Sequence, residues 1–158
     1  MFRSSSTYID TYYAATTRDR QKNRPALTDS LQADVCVVGA GFFGLYCALE
    51  MAQAGKKVVV LEASRVGWGA SGRNGGQLVQ GFACGMDRLK AAMGHDRAKD
   101  MFHESLRSIT KIRQLIQTHQ IDCDLADGHV EVAVLPRRVK DLTDMMEDCS
   151  KQWGYDNF

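Results

Sequence analysis

Gly39, Gly41 and Gly44 stand at the spacing G-x-G-x-x-G, and Glu62 follows the first of them by 23 residues. These residue types at this spacing can hold the diphosphate and ribose of a dinucleotide. Gly39 permits a tight turn off a strand. Gly41 has no side chain, so a diphosphate can approach the backbone, and Gly44 lets a helix pack close to the strands. The N-terminus of that helix presents free N–H groups and the positive end of its dipole. A carboxylate at Glu62 accepts hydrogen bonds from ribose hydroxyls and repels a 2′-phosphate, which argues against NADP. Ala40, Phe42 and Phe43 lie between the glycines, and Ala63 follows Glu62. Two plainer readings compete: a glycine-rich turn that binds nothing, and a solvated acid at a strand end.

The elements around the motif decide between them. Ala33-Asp34-Val35-Cys36-Val37-Val38 reads as a short buried parallel strand. Leu45, Ala48, Leu49 and Ala52 then repeat at helical spacing, and Gly55 is a plausible C-terminal stop. Lys57-Val58-Val59-Val60-Leu61-Glu62 reads as a second buried strand. Together they make a βαβ unit, the context in which the glycine motif carries weight. Residues 63–85 show no periodicity, and seven of the chain's 14 glycines fall between Gly67 and Gly85. Irregular connections of such length are usually functional or disordered; Trp68, Leu78 and Phe82 favour order. A short helix is expected over 86–93, ending at Gly94, and a longer one over about 97–119. Val130, Val132 and Val134 alternate with other residues and predict a strand at the edge of a different, antiparallel sheet. Pro136 sits where a further helix would begin.

The bulk numbers are those of one globular domain: 158 residues, 44% apolar and 25% charged. A formal net charge of +1 gives no electrostatic reason for a nucleic acid or an anionic membrane as partner. Five cysteines (Cys36, Cys47, Cys84, Cys123 and Cys149) show no C-x-x-C pair. That argues against a disulfide framework or a zinc site and fits a reducing cytoplasm. The first residues contain no apolar signal core, and no run is long enough to span a bilayer. The four histidines are scattered without ligand spacing, and no Ser/His/Asp arrangement suggests a hydrolase.

The βαβ unit alone does not separate FAD from NAD. The next segment does: Gly67-Trp68-Gly69-Ala70-Ser71-Gly72-Arg73-Asn74-Gly75-Gly76-Gln77. Together with the Tyr12-Tyr13-Ala14 element and the βαβ, this string resembles the FAD-dependent D-amino-acid oxidase-like superfamily, most closely its γ-glutamylputrescine oxidase group. The resemblance covers roughly residues 7–155, with its specific motifs confined to 34–77. It implies an α/β fold with a Rossmann-type FAD/NAD(P)-binding βαβ domain, incomplete here, and the beginning of an α+β substrate domain. It implies that Ser71, Gly72, Arg73, Asn74, Gly75, Gly76 and Gln77 line the flavin. Arg73 has a rival role as a clamp on loop carbonyls, and Trp68 is expected to pack rather than stack on flavin. Neither His nor Cys occurs in the string, which points to non-covalent FAD, although Cys84 stands close by.

The segments expected are an arm of little regular structure over 1–33, an FAD-binding region over 34–120 and the start of a substrate domain over 121–158. Relatives of this kind are much longer, so an N-terminal fragment is expected. The implied activity is oxidation of an amine or amino acid at its CH–NH group to an imine and then an aldehyde, with reoxidation by O2. A non-catalytic FAD- or ADP-binding fragment is the alternative, and an NAD-dependent dehydrogenase fragment is disfavoured by the long glycine-rich loop. A small-molecule amine is the expected partner, with homo-oligomerisation through exposed apolar strands as a possibility. No catalytic residue is assigned.

Overall fold

The computed structural model describes residues 7–157. Residues 1–6, the first part of the expected arm, and residue 158 lie outside them. The chain divides into two compact units, one ending at Gln77 and the other beginning at Leu78. This division in space differs from the sequence-derived segments, because the long helix after Gly94 packs with residues near 150.

The first unit begins with helix α1 (Tyr12–Thr16), followed by a 3-10 turn over Arg18–Arg20. Thr11 caps α1: its side-chain oxygen accepts from the Ala14 amide at 3.2 Å. The arm thus holds more regular structure than its polar composition suggests. Strand β1 (Val35–Val38), helix α2 (Phe42–Gln53) and strand β2 (Val58–Leu61) then form the expected βαβ. β1 and β2 pair in parallel, with Val35 opposite Val58 and Val38 opposite Leu61. The Asp34 carboxylate accepts from the Lys57 amide at 2.8 Å and closes the open end of the ladder. Gly44 and Ala48, one turn apart, are the buried residues of α2. Small side chains there let the helix axis approach the sheet. Cys36 and Val38 of β1 face away from that helix and are exposed. Phe42 and Phe43 at the start of α2 are also exposed, at 68% and 87%.

The second unit contains helices α3 (Met86–Met93) and α4 (His95–Thr118), hinged at Gly94 with φ +86°. Only glycine adopts that angle freely, so one residue ends a helix and starts the next. A 3-10 turn over Pro136–Arg138 leads into α5 (Val139–Asp148). A π-helical turn over Cys149–Trp153 follows. The wider turn brings Trp153 onto α4, where it joins Ala98 and Phe102 in the core of this unit. Phe102 lies 6.2 Å from the Trp153 ring and meets Tyr155 edge-on at 5.8 Å. These spacings suit favourable aromatic pairing.

One expected element is absent. The run holding Val130, Val132 and Val134 forms no strand, and these three residues are 81%, 71% and 86% exposed. A strand is defined by hydrogen bonds to a neighbour, and no described residue pairs with this run. Alternation of side chains creates a two-faced surface but cannot supply the second strand.

Candidate functional site

The glycine turn is built as its spacing requires. Gly39 has φ +100°, which lets the chain leave β1 and reverse into α2. A Cβ on Gly44 would collide with the Gly39 carbonyl oxygen and lie 3.3 Å from Val37 Cγ1. A Cβ on Gly41 would meet only Ser71 Oγ, at 3.1 Å. Gly44 therefore serves the packing of helix on strand, and Gly41 keeps the approach to the helix start open. The first-turn N–H groups of any α-helix lack intrahelical partners, and here the N-cap residue, Gly41, has no side chain to take one. A helix start of this kind is a cradle that can receive an anion such as a diphosphate.

Glu62 stands at this cradle. Its Oε2 accepts from the Ala40 amide at 2.7 Å, and its Oε1 accepts from the Ser64 amide at 2.8 Å. A carboxylate has about four lone-pair sites, so two such bonds leave acceptor capacity for ribose hydroxyls. The sequence reading missed this internal role: Glu62 fastens β2 to the glycine turn. Ala63 lies between Glu62 and the amide bonded back to it. Glu62→Ala is therefore expected to lower the stability of the βαβ unit by about 1–2 kcal/mol, chiefly through the part-buried Ala40 amide, since the exposed Ser64 amide can turn to water. Urea unfolding followed by circular dichroism measures it; an unchanged midpoint would remove Glu62 from this role.

The glycine-rich loop folds back on the same place. The Gly67 amide donates to the Ala40 carbonyl at 2.8 Å, and the Phe42 amide donates to Ser71 Oγ at 2.8 Å. Ser71 thus reaches the first turn of α2 as a surrogate cap. A short 3-10 turn over Ala70–Gly72 sets its position. A Cβ on Gly72 would collide with the Gly67 carbonyl oxygen. Asn74 ties the following turn, donating from Nδ2 to the Ser71 carbonyl at 2.9 Å and accepting from the Gly76 amide at 2.9 Å. Arg73 takes the clamp role: Nε and Nη2 both donate to the Trp68 carbonyl, at 3.0 and 2.7 Å. Its guanidinium also lies 4.3 Å from the Trp68 ring centroid, which makes Trp68 a packing surface. An open cleft of about 420 Å3 lies beside this turn, lined by Gly72, Arg73, Asn74 and arm residues Thr11, Tyr12 and Tyr13.

The structure thus gathers Gly39, Ala40, Gly41, Phe42, Phe43, Gly44, Glu62 and Ser71 at one helix start. The contacts of Arg73, Asn74, Gly75, Gly76 and Gln77 are with the loop itself and, at Gly76, with Tyr13. The Arg107 guanidinium holds the Glu104 carboxyl below its usual range, Arg113 does the same for Asp127, and burial raises the Cys149 thiol. Among the described residues no cluster of His, Cys, Asp or Glu could hold a metal, and no helix is long and apolar enough to cross a membrane.

A family model described as FAD dependent oxidoreductase (DAO) matches residues 34–157. The chain belongs to this family. Its cofactor is FAD, as the loop after β2 indicated. The chain is 44% identical over 150 residues to "Probable oxidoreductase OrdL" of Haemophilus influenzae, covering 95% of this chain and 35% of that protein. It is 40% identical over 141 residues to "Gamma-glutamylputrescine oxidoreductase" of Escherichia coli, covering 89% of this chain and 33% of that one. A second OrdL, from Rhizobium meliloti, is 30% identical over 144 residues, covering 91% of this chain and 33% of that protein. The chain therefore spans about a third of the length of these relatives. No solved structure matches it.

Proposed function

We propose that this chain forms the FAD-holding part of an oxidoreductase acting on the CH–NH group of an amine or amino acid, with a γ-glutamylputrescine-like amine as substrate. The observation that carries the reading is the convergence of the glycine turn, Glu62 and Ser71 on the start of α2. A diphosphate fits there because the amides are pre-aimed, the dipole favours its charge and Gly41 leaves room. Glu62 orients the adenosine ribose with its remaining lone pairs while holding the Ala40 amide. Residues Ser71 to Gln77 line the ribityl chain and ring, and Arg73 keeps that loop in shape through the Trp68 carbonyl. FAD is held without a covalent bond.

Bound FAD supplies a two-electron acceptor and an acceptor of hydride. The substrate CH–NH loses two electrons and two protons to become C=N. Water then adds to the carbon and the C–N bond breaks, giving a carbonyl compound and a free amine. Dioxygen takes the two electrons and becomes hydrogen peroxide. The substrate assignment is supported by the name of the Escherichia coli relative. Residues 121–158 are read as the start of an α+β substrate domain, and the protein as a cytoplasmic one, in keeping with five unpatterned thiols. Exposed Val38, Phe42 and Phe43 suit self-association. The 158 residues by themselves are read as binding FAD or ADP without turnover.

The test is the absorption spectrum of the chain after incubation with FAD and desalting. Retained flavin bands support the site. A colourless chain, together with a colourless longer version of the same protein, removes the reading. Anaerobic bleaching of the flavin in the longer protein by γ-glutamylputrescine, and not by D-amino acids, tests the substrate class.

A further inference from the structure

Three independent contacts join the N-terminal arm to the glycine-rich loop. The Tyr8 hydroxyl donates to the Val66 carbonyl at 2.9 Å. The Trp68 indole N–H donates to the Thr7 carbonyl at 2.9 Å. The Tyr13 hydroxyl lies beside Gly76, so near that a Cβ there would collide with it. In addition, the Arg65 guanidinium lies 5.5 Å from the Tyr8 ring centroid. Val66, Trp68 and Gly76 span the loop from its entry almost to its end. Between these points the loop is also held to the glycine turn, by the Gly67 amide donating to the Ala40 carbonyl and by Ser71 Oγ accepting from the Phe42 amide. It carries no strand pairing, and its internal bonds are short-range turns. Gly67 and Gly76 have φ +69° and +70°, so the conformation is one that glycine does not favour strongly over others.

We propose that the arm is a strap that fixes the flavin loop, with Tyr8, Trp68 and Tyr13 acting as positioning residues for cofactor retention. A loop pinned at both ends loses its freedom before FAD arrives, so that ordering cost is not charged against binding. Unpinning Val66 or Gly76 lets the loop open locally. FAD then leaves faster, with little change in global stability. The flavin half of this proposal rests on the site assigned above; the strap itself does not.

The experiment uses the full chain and five forms: wild type, Tyr8→Phe, Tyr13→Phe, Gly76→Ala, and Gly76→Ala combined with Tyr13→Phe. Two rates are read, FAD release by recovery of flavin fluorescence, and tryptic cleavage after Arg73 by mass spectrometry without FAD. Tyr8→Phe removes one hydrogen bond and is expected to raise both rates about fivefold, with the circular dichroism spectrum unchanged. Gly76→Ala displaces Tyr13 and is expected to raise both about tenfold or more, from contact and positive-φ strain together. Adding Tyr13→Phe removes the oxygen that collides with the new methyl, and is expected to recover about threefold or more of that loss. A strap is refuted if Tyr8→Phe leaves both rates at the wild-type values, or if the Gly76 and Tyr13 changes are additive. Should the wild-type chain bind no FAD, the site assignment fails, and the cleavage rates still judge the strap. If Tyr8→Phe disturbs the fold, the rescue pair decides alone.

Discussion

Gly44→Val is expected to unfold the βαβ unit. A Cβ at this position would run into the Gly39 carbonyl oxygen, a backbone atom held by the turn it belongs to. Backbone cannot rotate away as a side-chain end can, so helix α2 must lift off β1. That separates Ala48 from the sheet and pulls the Gly39–Gly44 turn open. Overpacking of this kind costs about 3 kcal/mol or more when the neighbour is rigid. A unit with so few buried residues has little stability to lose. Hydrogen exchange is the measurement: amides of Val35–Val38 and Val58–Leu61 should lose protection, while Ala98–Phe102 in the second unit keep theirs. Equal protection of β1 and β2 in the variant and the parent would show that Gly44 does not set the helix-to-strand distance.

Gly41→Val is expected to give the opposite pattern. Its Cβ meets one flexible group, the Ser71 hydroxyl at 3.1 Å, so the fold tolerates the change. The branched side chain instead fills the approach to the first-turn amides. Two charge-assisted hydrogen bonds to diphosphate lost in this way weaken FAD binding by about 100-fold or more. Fluorescence titration with FAD reads the affinity, and urea unfolding reads the stability. A variant that holds FAD as tightly as the parent would move the diphosphate away from α2. The two glycines thus separate a folding requirement from a ligand requirement three residues apart, which a motif match alone cannot do.

The parts of the fold that were legible from sequence are those set by local chemistry. Val35–Val38 and Val58–Leu61 are short apolar runs, and α2 follows from its small and apolar residues at helical spacing. The hinge at Gly94 and the start at Pro136 follow from the backbone limits of glycine and proline. The long loop was legible as ordered, because an exposed Trp68 would be costly to leave without contacts. What remained hidden depends on partners distant in the chain. The Val130–Val134 pattern looked like a strand, yet a strand exists only where a neighbour supplies hydrogen bonds. Glu62 was read as facing a ribose or, more plainly, solvent; its bonds to Ala40 and Ser64 arise because the turn presents those amides to it. Arg73 was read as lining the flavin or, as a rival, as a clamp on loop carbonyls, and its two bonds to the Trp68 carbonyl show the clamp. The arm was read as having little regular structure, and its contacts with residues some sixty positions away leave no periodicity in the sequence.

The contacts that shape the cradle reach across 22 residues from Ala40 to Glu62 and 29 from Phe42 to Ser71, and those of the strap across 58 and 61. All of them close among residues no later than Gln77. Synthesis runs from the N-terminus at about 5–20 residues per second, so residues 78–158 occupy the ribosome for some seconds more. Loop closure and hairpin-scale pairing take only microseconds. The contacts of the glycine turn and of the arm thus need no residue after Gln77, and closures of that span are fast against the seconds of synthesis that the following helices take.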